Sequence, residues 1–310
     1  MTIENQMMEN LNVIFPDTEF DIIHKDKQFL IQSKKSNNGN NECLTLTVTP
    51  NSLYIENIDK CGISGSQSLQ KINTLAKQLD FVKEIGLYDA SFLTVFGYNI
   101  DLAILKILVN GESWYNSYGY ISDEFENEKK NNLQKIHLPC YTFLKEVYRL
   151  NIGFIVKNLT ATFEQIMRNR NRSFQKMANK SIDEKKVILE YNKNFDDNYP
   201  NEETYIQKNS EAYVEKYNIH LQDFENVFQI NKTDTVQDVY RSIMLNLHKE
   251  EEKCRLLHES IQYIQSSLIL QYKCSLKKQK SFYQGGNLKH MILNKKKMSK
   301  IMFQKTKKKK

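Results

Sequence analysis

A glycine-containing turn is the first place in this sequence where chemistry could occur. The run Gly62-Ile-Ser64-Gly65-Ser66 follows a segment of alternating apolar residues and precedes apolar residues at helical spacing. Glycines let a backbone approach a ligand closely, and the first N–H groups of a helix attract anions. A single GxxG pattern is typical both of a phosphate cradle and of a plain turn, so both interpretations stay open.

A second group of polar residues follows the next predicted strand. Asp89 and Ser91 stand at its carboxyl end, the edge where ligands usually bind in open α/β sheets. If this strand is parallel to the strand before Gly62, both ends face one crevice. Asp89 could accept a proton there, or it could cap the next helix.

The spacing of the residues does not indicate a metal site or any of the common motifs of catalytic nucleophiles. The six histidines lack metal-ligand spacing, and no GxSxG, HExxH or P-loop pattern occurs. The five cysteines are odd in number and form no CxxC pair. This pattern argues against a disulfide framework and a Cys-based zinc site, and it favours a reducing compartment. We expect no metal site.

The element that must position these residues is an apolar helix followed by an aromatic turn. Apolar residues at helical spacing predict a buried helix just after Asp101: Leu102, Leu105, Leu108 and Val109. Gly111 is placed to end it with positive φ, and Gly119 ends a second turn that contains Trp114. Trp114 and Tyr115 are either core aromatics that close the helix onto a sheet or ligand contacts.

The remaining pattern predicts an α+β fold. Two hairpins, from Phe20 to Ile55, precede a strand–turn–helix–strand–helix–strand series in which Ser66 is a candidate N-cap. After about residue 130 the apolar spacing is helical, with one long helix or two joined near Glu250. The expected domains are 1–130 (α/β), 131–283 (helical) and 284–310 (a disordered Lys-rich tail).

Charge is distributed very unevenly along the 310 residues. The chain has a net charge of +7, but residues 275–310 contain 13 lysines and no acid, so the residues before them carry −6. Such a tail either binds nucleic acid or other polyanions without sequence preference or remains a solvated terminus. No run reaches transmembrane length and no signal peptide is evident, so we expect no membrane contact and a cytoplasmic location.

The order hairpin–strand–GxxG–helix–strand–helix–WYNSYGY resembles the core of the GNAT superfamily of N-acetyltransferases over residues 40–125. The family's signature, Tyr-x-x-x-Gly-Phe, is similar to Tyr115-Asn-Ser-Tyr118-Gly119-Tyr120. The resemblance implies a GNAT-like mixed sheet with acetyl-CoA as the cofactor. The pyrophosphate would then lie against the turn residues Gly62, Ser64, Gly65 and Ser66.

The same resemblance implies catalytic roles for three residues. Tyr115 would protonate the leaving thiolate, and either Glu56 or Asp89 would take the proton of the acceptor amine. Glu56 precedes the glycine turn, where some acetyltransferases place a base, although a solvent-facing strand glutamate is the other interpretation. The family's loop usually reads Gln/Arg-x-x-Gly-x-Gly/Ala, and only its central glycine, Gly65, is present in this chain.

The chain also resembles uncharacterised proteins of large nucleocytoplasmic DNA viruses, in its GESWYNSYGY run and its lysine-rich end. Two functions follow as hypotheses. The first is a viral-type binding or structural protein built on a degenerate acyltransferase-like domain. In it, the helical part contacts other proteins, the tail contacts nucleic acid, and no cofactor is needed; a viral protein would act in the host cytoplasm or the virion. The alternative is an active acyl-CoA-dependent N-acyltransferase.

Overall fold

The computed structural model describes residues 2–34, 42–59 and 63–279 of the chain. It confirms the expected α+β class, with a mixed sheet built mainly from N-terminal strands and a mostly helical later part. The chain forms two compact units that interleave in sequence. The first unit contains Tyr115–Asp123 and the strand after Lys273 in addition to the residues up to Asp89, whereas the second contains Ala90–Trp114 and Glu124–Tyr272.

The first unit, called the sheet unit below, contains a six-stranded sheet and two helices. Strands β1 to β4 are successively antiparallel, β5 is parallel to β4, and β8 closes the edge antiparallel to β5. Its elements are α1 (Ile3–Ile14), β1 (Phe20–Lys25), β2 (Gln28–Ser33), β3 (Glu42–Val48), β4 (Ser52–Ile58), α2 (Gly65–Gln78), β5 (Glu84–Tyr88) and β8 (Ser275–Gln279).

Strand alternation explains which face of this sheet is buried. Successive side chains point to opposite faces, so the apolar residues of β4 and β5 share one face. Leu53 pairs with Ile85 and Ile55 with Leu87, and all four are nearly inaccessible to solvent. Helix α2 contributes its own buried stripe: Leu69, Ile72, Leu75 and Ala76. The two expected hairpins, β1–β2 and β3–β4, and the expected helix α2 are confirmed.

The second unit, called the helical unit below, contains seven helices and one hairpin among its described residues. The hairpin, β6 and β7, turns at Phe96 and Gly97, which both have positive φ. The elements are β6 (Phe92–Val95), β7 (Tyr98–Asp101), α3 (Leu102–Asn110), α4 (Phe125–Ile136), α5 (Cys140–Lys176), α6 (Ile182–Asn198), α7 (Glu202–Phe228), α8 (Val236–Leu245) and α9 (Glu251–Ser267).

Helix α3 is buried, as its composition predicts. Within the helical unit it contacts α8, α4 and α9 together with the β6–β7 hairpin. Ile104, Ile107 and Leu108 lie in one apolar cluster with residues of α5, α7, α8 and α9. Each of these helices buries its apolar face in this cluster.

The C-terminal part resolves one open alternative and adds a strand. The long amphipathic pattern after Thr235 is two helices, α8 and α9, and Thr235 caps the first through its hydroxyl. The strand β8 was not predicted, because a run such as Ser-Leu-Lys-Lys-Gln has only one strongly apolar residue. The expected disordered tail, 284–310, lies outside the described residues.

One cysteine forms a disulfide that the scattered, odd-numbered cysteines did not indicate. Cys43 in β3 is disulfide-bonded. Cys140, Cys254 and Cys274 take part in no disulfide. Within residues 2–34, 42–59 and 63–279, no helix combines the length and apolarity needed to cross a bilayer.

A buried histidine joins three helices of the helical unit and predicts a pH dependence. His220 of α7 is 4% exposed; its Nδ1 lies 2.7 Å from the Tyr148 hydroxyl of α5, and its Nε2 lies 3.4 Å from the Leu256 carbonyl oxygen of α9. Burial lowers the pKa of His220, although the charge of Glu259 opposes this shift. The folded protein therefore binds this proton less readily than the unfolded chain does.

We expect the stability contributed by His220 to be present above the unfolded pKa of about 6.5 and to be lost as the pH falls below it. The check is to compare the change in melting temperature between pH 7.5 and 5.5 for wild type and His220→Gln. The variant should lose less stability on acidification than wild type. His248→Gln, which alters an exposed histidine, should behave like wild type. Equal acid sensitivity in all three proteins would contradict the prediction.

Candidate functional site

The candidate site lies in the sheet unit, where β4, α2 and β5 meet. β4 and β5 pair in parallel from Ser52–Glu84 to Ile55–Leu87. β4 continues to Ile58 beyond the last of these pairs, and α2 begins shortly afterwards at Gly65. This strand–turn–helix order places the first turn of α2 near the carboxyl edge of two parallel strands, the expected position for a ligand.

A capping box closes the N-terminus of α2. Ser64, not Ser66, is the N-cap: its hydroxyl oxygen accepts a hydrogen bond from the Gln67 amide at 3.2 Å. The Gln67 side chain in turn accepts from the Ser64 amide at 2.8 Å. The Ser-x-x-Gln spacing explains the shift, because it satisfies two N–H groups reciprocally. The Ser64 amide, expected to face a pyrophosphate, is therefore occupied by the protein's own side chain.

The aromatic turn contributes a tyrosine to the same helix start. The hydroxyls of Tyr118 and Ser66 are hydrogen-bonded at 2.6 Å. Tyr118 ends a 3₁₀ turn, Asn116–Tyr118, and Gly119 follows with φ 84°, as the sequence predicts for a terminating glycine. Ser66, an expected cofactor contact, thus also has a partner within the sheet unit. Gly65 is the first residue of α2, and Gly62 lies outside the described residues.

Tyr115 and Asp89 lie close together in the sheet unit. Burial raises the pKa of Tyr115 to about 12, and the charge of Asp89 contributes to the shift. Asp89 is 4% exposed, and its backbone amide donates to the Cys274 carbonyl at 2.8 Å. A strand rather than a helix follows Asp89, so the helix-cap interpretation of this residue is wrong. With a pKa of about 12, Tyr115 remains a phenol at neutral pH.

Glu56 lies where the β3–β4 pairing shifts register, between Ile55, which pairs with Leu46, and Asn57, which pairs with Thr45. Glu56 is exposed, as the solvent-facing interpretation predicts, and its charge, after the larger effect of burial, raises the pKa of the neighbouring Tyr54. The structure thus brings Tyr115 near Asp89, and it places Ser64 and Ser66 together at the start of α2, but Glu56 is an exposed residue of β4 with no contact to either group among the described interactions.

Three residues of the site were missed by sequence reasoning. Gln67 could have been found as the partner in a capping box, and Tyr118 as part of the aromatic run. Lys278 had no such signal, because it comes from β8, 160 residues beyond its partner: its Nζ donates to the Tyr118 carbonyl at 2.7 Å and lies 5.4 Å from the Tyr120 ring centre. Burial, and then the charge of Lys77, lowers the pKa of Lys278.

The described residues contain no group of three His, Cys, Asp or Glu side chains placed to hold a metal ion. Comparison of this chain with protein-family models, with curated proteins and with solved structures finds no match.

Proposed function

We propose that this chain is a viral-type binding or structural protein whose sheet unit is a degenerate relative of the acyltransferase fold. One observation carries the proposal: the protein's own side chains occupy the start of α2. Gln67 holds the Ser64 amide, and Tyr118 holds the Ser66 hydroxyl. An acyl-CoA pyrophosphate would need these groups to be released first, at the cost of a helix cap worth about 1 kcal/mol.

The helical unit supports a role in contacts with other proteins. Helix α6 has a single buried residue, Asn192, and leaves several large apolar side chains exposed: Ile182, Val187, Leu189 and Tyr191. By helical spacing, Ile182 and Leu189 share one side of α6 and Val187 and Tyr191 share the other, so each pair offers a small apolar strip to another protein.

The lysine-rich segment supports nucleic acid as a further partner. The 11 lysines that follow Gln279, with no acid among them, would displace counterions from phosphates, so binding should weaken steeply as salt is raised. Fluorescence anisotropy with a labelled random-sequence duplex tests this part. We expect the full chain to bind and a chain ending at Tyr283 to bind at least tenfold more weakly. Equal affinity of the two proteins would remove the tail from the proposal.

An acyl-CoA-dependent N-acyltransferase is the second candidate function. Two observations favour it: the parallel pairing of β4 and β5 stops at Ile55–Leu87, and Tyr115 lies near Asp89. In this case Tyr115 would protonate the thiolate and Asp89 would accept the amine proton.

A thermal-shift titration with acetyl-CoA separates the two functions. A ligand at 100 times its dissociation constant stabilises a protein by about 2.7 kcal/mol, which gives a shift of several degrees. We expect no shift for the wild-type chain at millimolar acetyl-CoA. A saturable shift with acetyl-CoA, and none with pantetheine, which lacks the pyrophosphate, would instead favour the acyltransferase.

A further inference from the structure

The two edges of the six-stranded sheet are protected very differently. At one edge, β8 carries two lysines and exchanges two backbone hydrogen bonds with a neighbouring segment. The Ile121 amide donates to the Lys277 carbonyl at 2.8 Å, and the Lys277 amide donates to the Ile121 carbonyl at 2.9 Å. At the other edge, no described strand pairs with the outer side of β1. An uncovered strand edge is a template for pairing with another chain.

The register of the β1–β2 hairpin shows which backbone groups of β1 face outward. Its last bridged pair closes a two-residue turn, so Lys25 exchanges hydrogen bonds with β2, and the exchange recurs at every second residue. The Lys34 amide, which donates to the Glu19 carbonyl at 2.9 Å, continues the same odd-numbered series. The N–H and C=O groups of Ile22 and His24 therefore point away from β2, toward the open edge.

The exposed side chains of β1 are self-complementary about Ile23. Asp21, Ile23 and Lys25 share one face of the strand because side chains alternate, and all three are exposed. Ile23 is 47% exposed although its side chain is wholly apolar. Asp21 lies 3.1 Å from Lys34 of its own chain, but its side chain remains 59% exposed and accessible to a second cation. The pattern Asp-x-Ile-x-Lys therefore matches itself when a second copy runs antiparallel.

Antiparallel pairing of two β1 strands about Ile23 satisfies both the backbone and the side chains. Ile22 of each copy pairs with His24 of the other, and these two pairs exchange about four backbone hydrogen bonds across the edge. Ile23 then lies opposite Ile23 of the second copy, on the two-fold axis. Asp21 lies opposite Lys25 on both sides of this axis. Apolar pairs and opposite-charge pairs directly across a sheet stabilise strand pairing.

We propose that the open edge of β1 binds the same edge of a second copy of this chain and joins the two sheets into one. About four backbone hydrogen bonds are fewer than the roughly 10 of a typical protein interface, so the dimer should dissociate on dilution. The inference goes beyond the proposed function and does not depend on it, because it uses neither the lysine-rich segment nor the start of α2.

Charge reversal tests the register of this dimer. Sedimentation equilibrium of the full chain over a wide concentration range gives the dissociation constant. Asp21→Lys and Lys25→Asp each place like charges opposite one another at both ends of the pair, so each should weaken the dimer about tenfold. The double variant restores opposite charges and should return to within about threefold of wild type. Lys34→Gln, which removes only the pair within the chain, should change the constant by less than about twofold.

A cysteine at the two-fold axis tests the geometry directly. Residues opposite each other in a pair without hydrogen bonds have Cα atoms about 4.5 Å apart, which is within disulfide range. Mild oxidation of Ile23→Cys should therefore give a covalent dimer on a non-reducing gel. Val13→Cys is the matched control, because Val13 is 74% exposed on α1 of the same unit. It should form no more covalent dimer than wild type.

Four results would overturn the inference. They are a full chain that stays monomeric at every concentration, single charge variants that dimerise like wild type, a double variant no better than the single ones, and equal cross-linking of Ile23→Cys and Val13→Cys. All substituted residues are exposed in the single chain, so the fold should be retained in each variant. Each of these results leaves the duplex and acetyl-CoA tests of the proposed function unaffected.

Discussion

Substitution of Gly111 by alanine should lower the free energy of unfolding by about 3 kcal/mol. Gly111 ends α3 with φ 78°, where an L-residue costs roughly 1–2 kcal/mol. A Cβ at this position would also lie 2.7 Å from Leu133 Cδ2 and 2.9 Å from its Cγ. Forcing an extra carbon into packed surroundings adds about 1–3 kcal/mol. Urea denaturation followed by circular dichroism measures the loss.

Gly97→Ala is the matched control for this substitution. Gly97 has nearly the same backbone conformation, φ 82°, but nothing lies within 4 Å of the position its Cβ would take. It should therefore cost only the conformational part, about 1–2 kcal/mol. In a Leu133→Ala background, the penalty of Gly111→Ala should shrink toward that of Gly97→Ala. Equal penalties for the two glycines in the wild-type background would show that Leu133 adds nothing.

The second large effect is expected at Asn132, whose side chain makes two hydrogen bonds to the backbone of Gln271. Its Nδ2 donates to the Gln271 carbonyl at 2.6 Å, and its Oδ1 accepts from the Gln271 amide at 2.8 Å. Asn132 is 2% exposed. Asn132→Ala would leave both backbone groups without this partner, at about 1–3 kcal/mol for a group left unsatisfied. We expect a loss of about 2 kcal/mol in the free energy of unfolding.

Two variants show whether the backbone contacts carry this loss. Asn132→Asp keeps an acceptor for the Gln271 amide but replaces the donor by a buried carboxylate oxygen facing the Gln271 carbonyl, so its loss should be at least as large as that of Asn132→Ala. Asn131→Ala removes only the neighbouring, exposed bond to the Gln271 side chain and should change stability by less than about 0.5 kcal/mol. Hydrogen exchange at the Gln271 amide, faster in Asn132→Ala alone, is the local readout. Unchanged protection at this amide would contradict the account.

Contacts between segments that are distant in sequence stabilise the helical unit at both positions. Gly111 meets Leu133 of α4, and Asn132 of α4 meets Gln271 beyond α9. Helix α4 itself is strongly polar, with three buried residues among twelve. It stays in place through these specific contacts, because its apolar stripe is too narrow to do so alone.

Local chain chemistry was enough to predict most individual elements. The alternating residues of β3 and β4, the apolar α3 helix, and the positive φ at Gly111 and Gly119 all depend on neighbours within a few residues. Such features follow from steric and hydrogen-bonding preferences that operate along the chain. The glycine turn and its Ser-x-x-Gln pattern were likewise visible, although the cap was placed at Ser66 rather than Ser64.

Only the folded chain decides which of these elements share a core and which side chains meet. Helix α3 is apolar nearly all round, so its sequence does not say whether a sheet or other helices will cover it. β8 pairs with β5 across almost 190 intervening residues and brings Lys278 to Tyr118, a contact that no local pattern encodes. The same holds for Tyr118 on Ser66, which closes the helix start that the glycine turn alone suggested was open to a ligand.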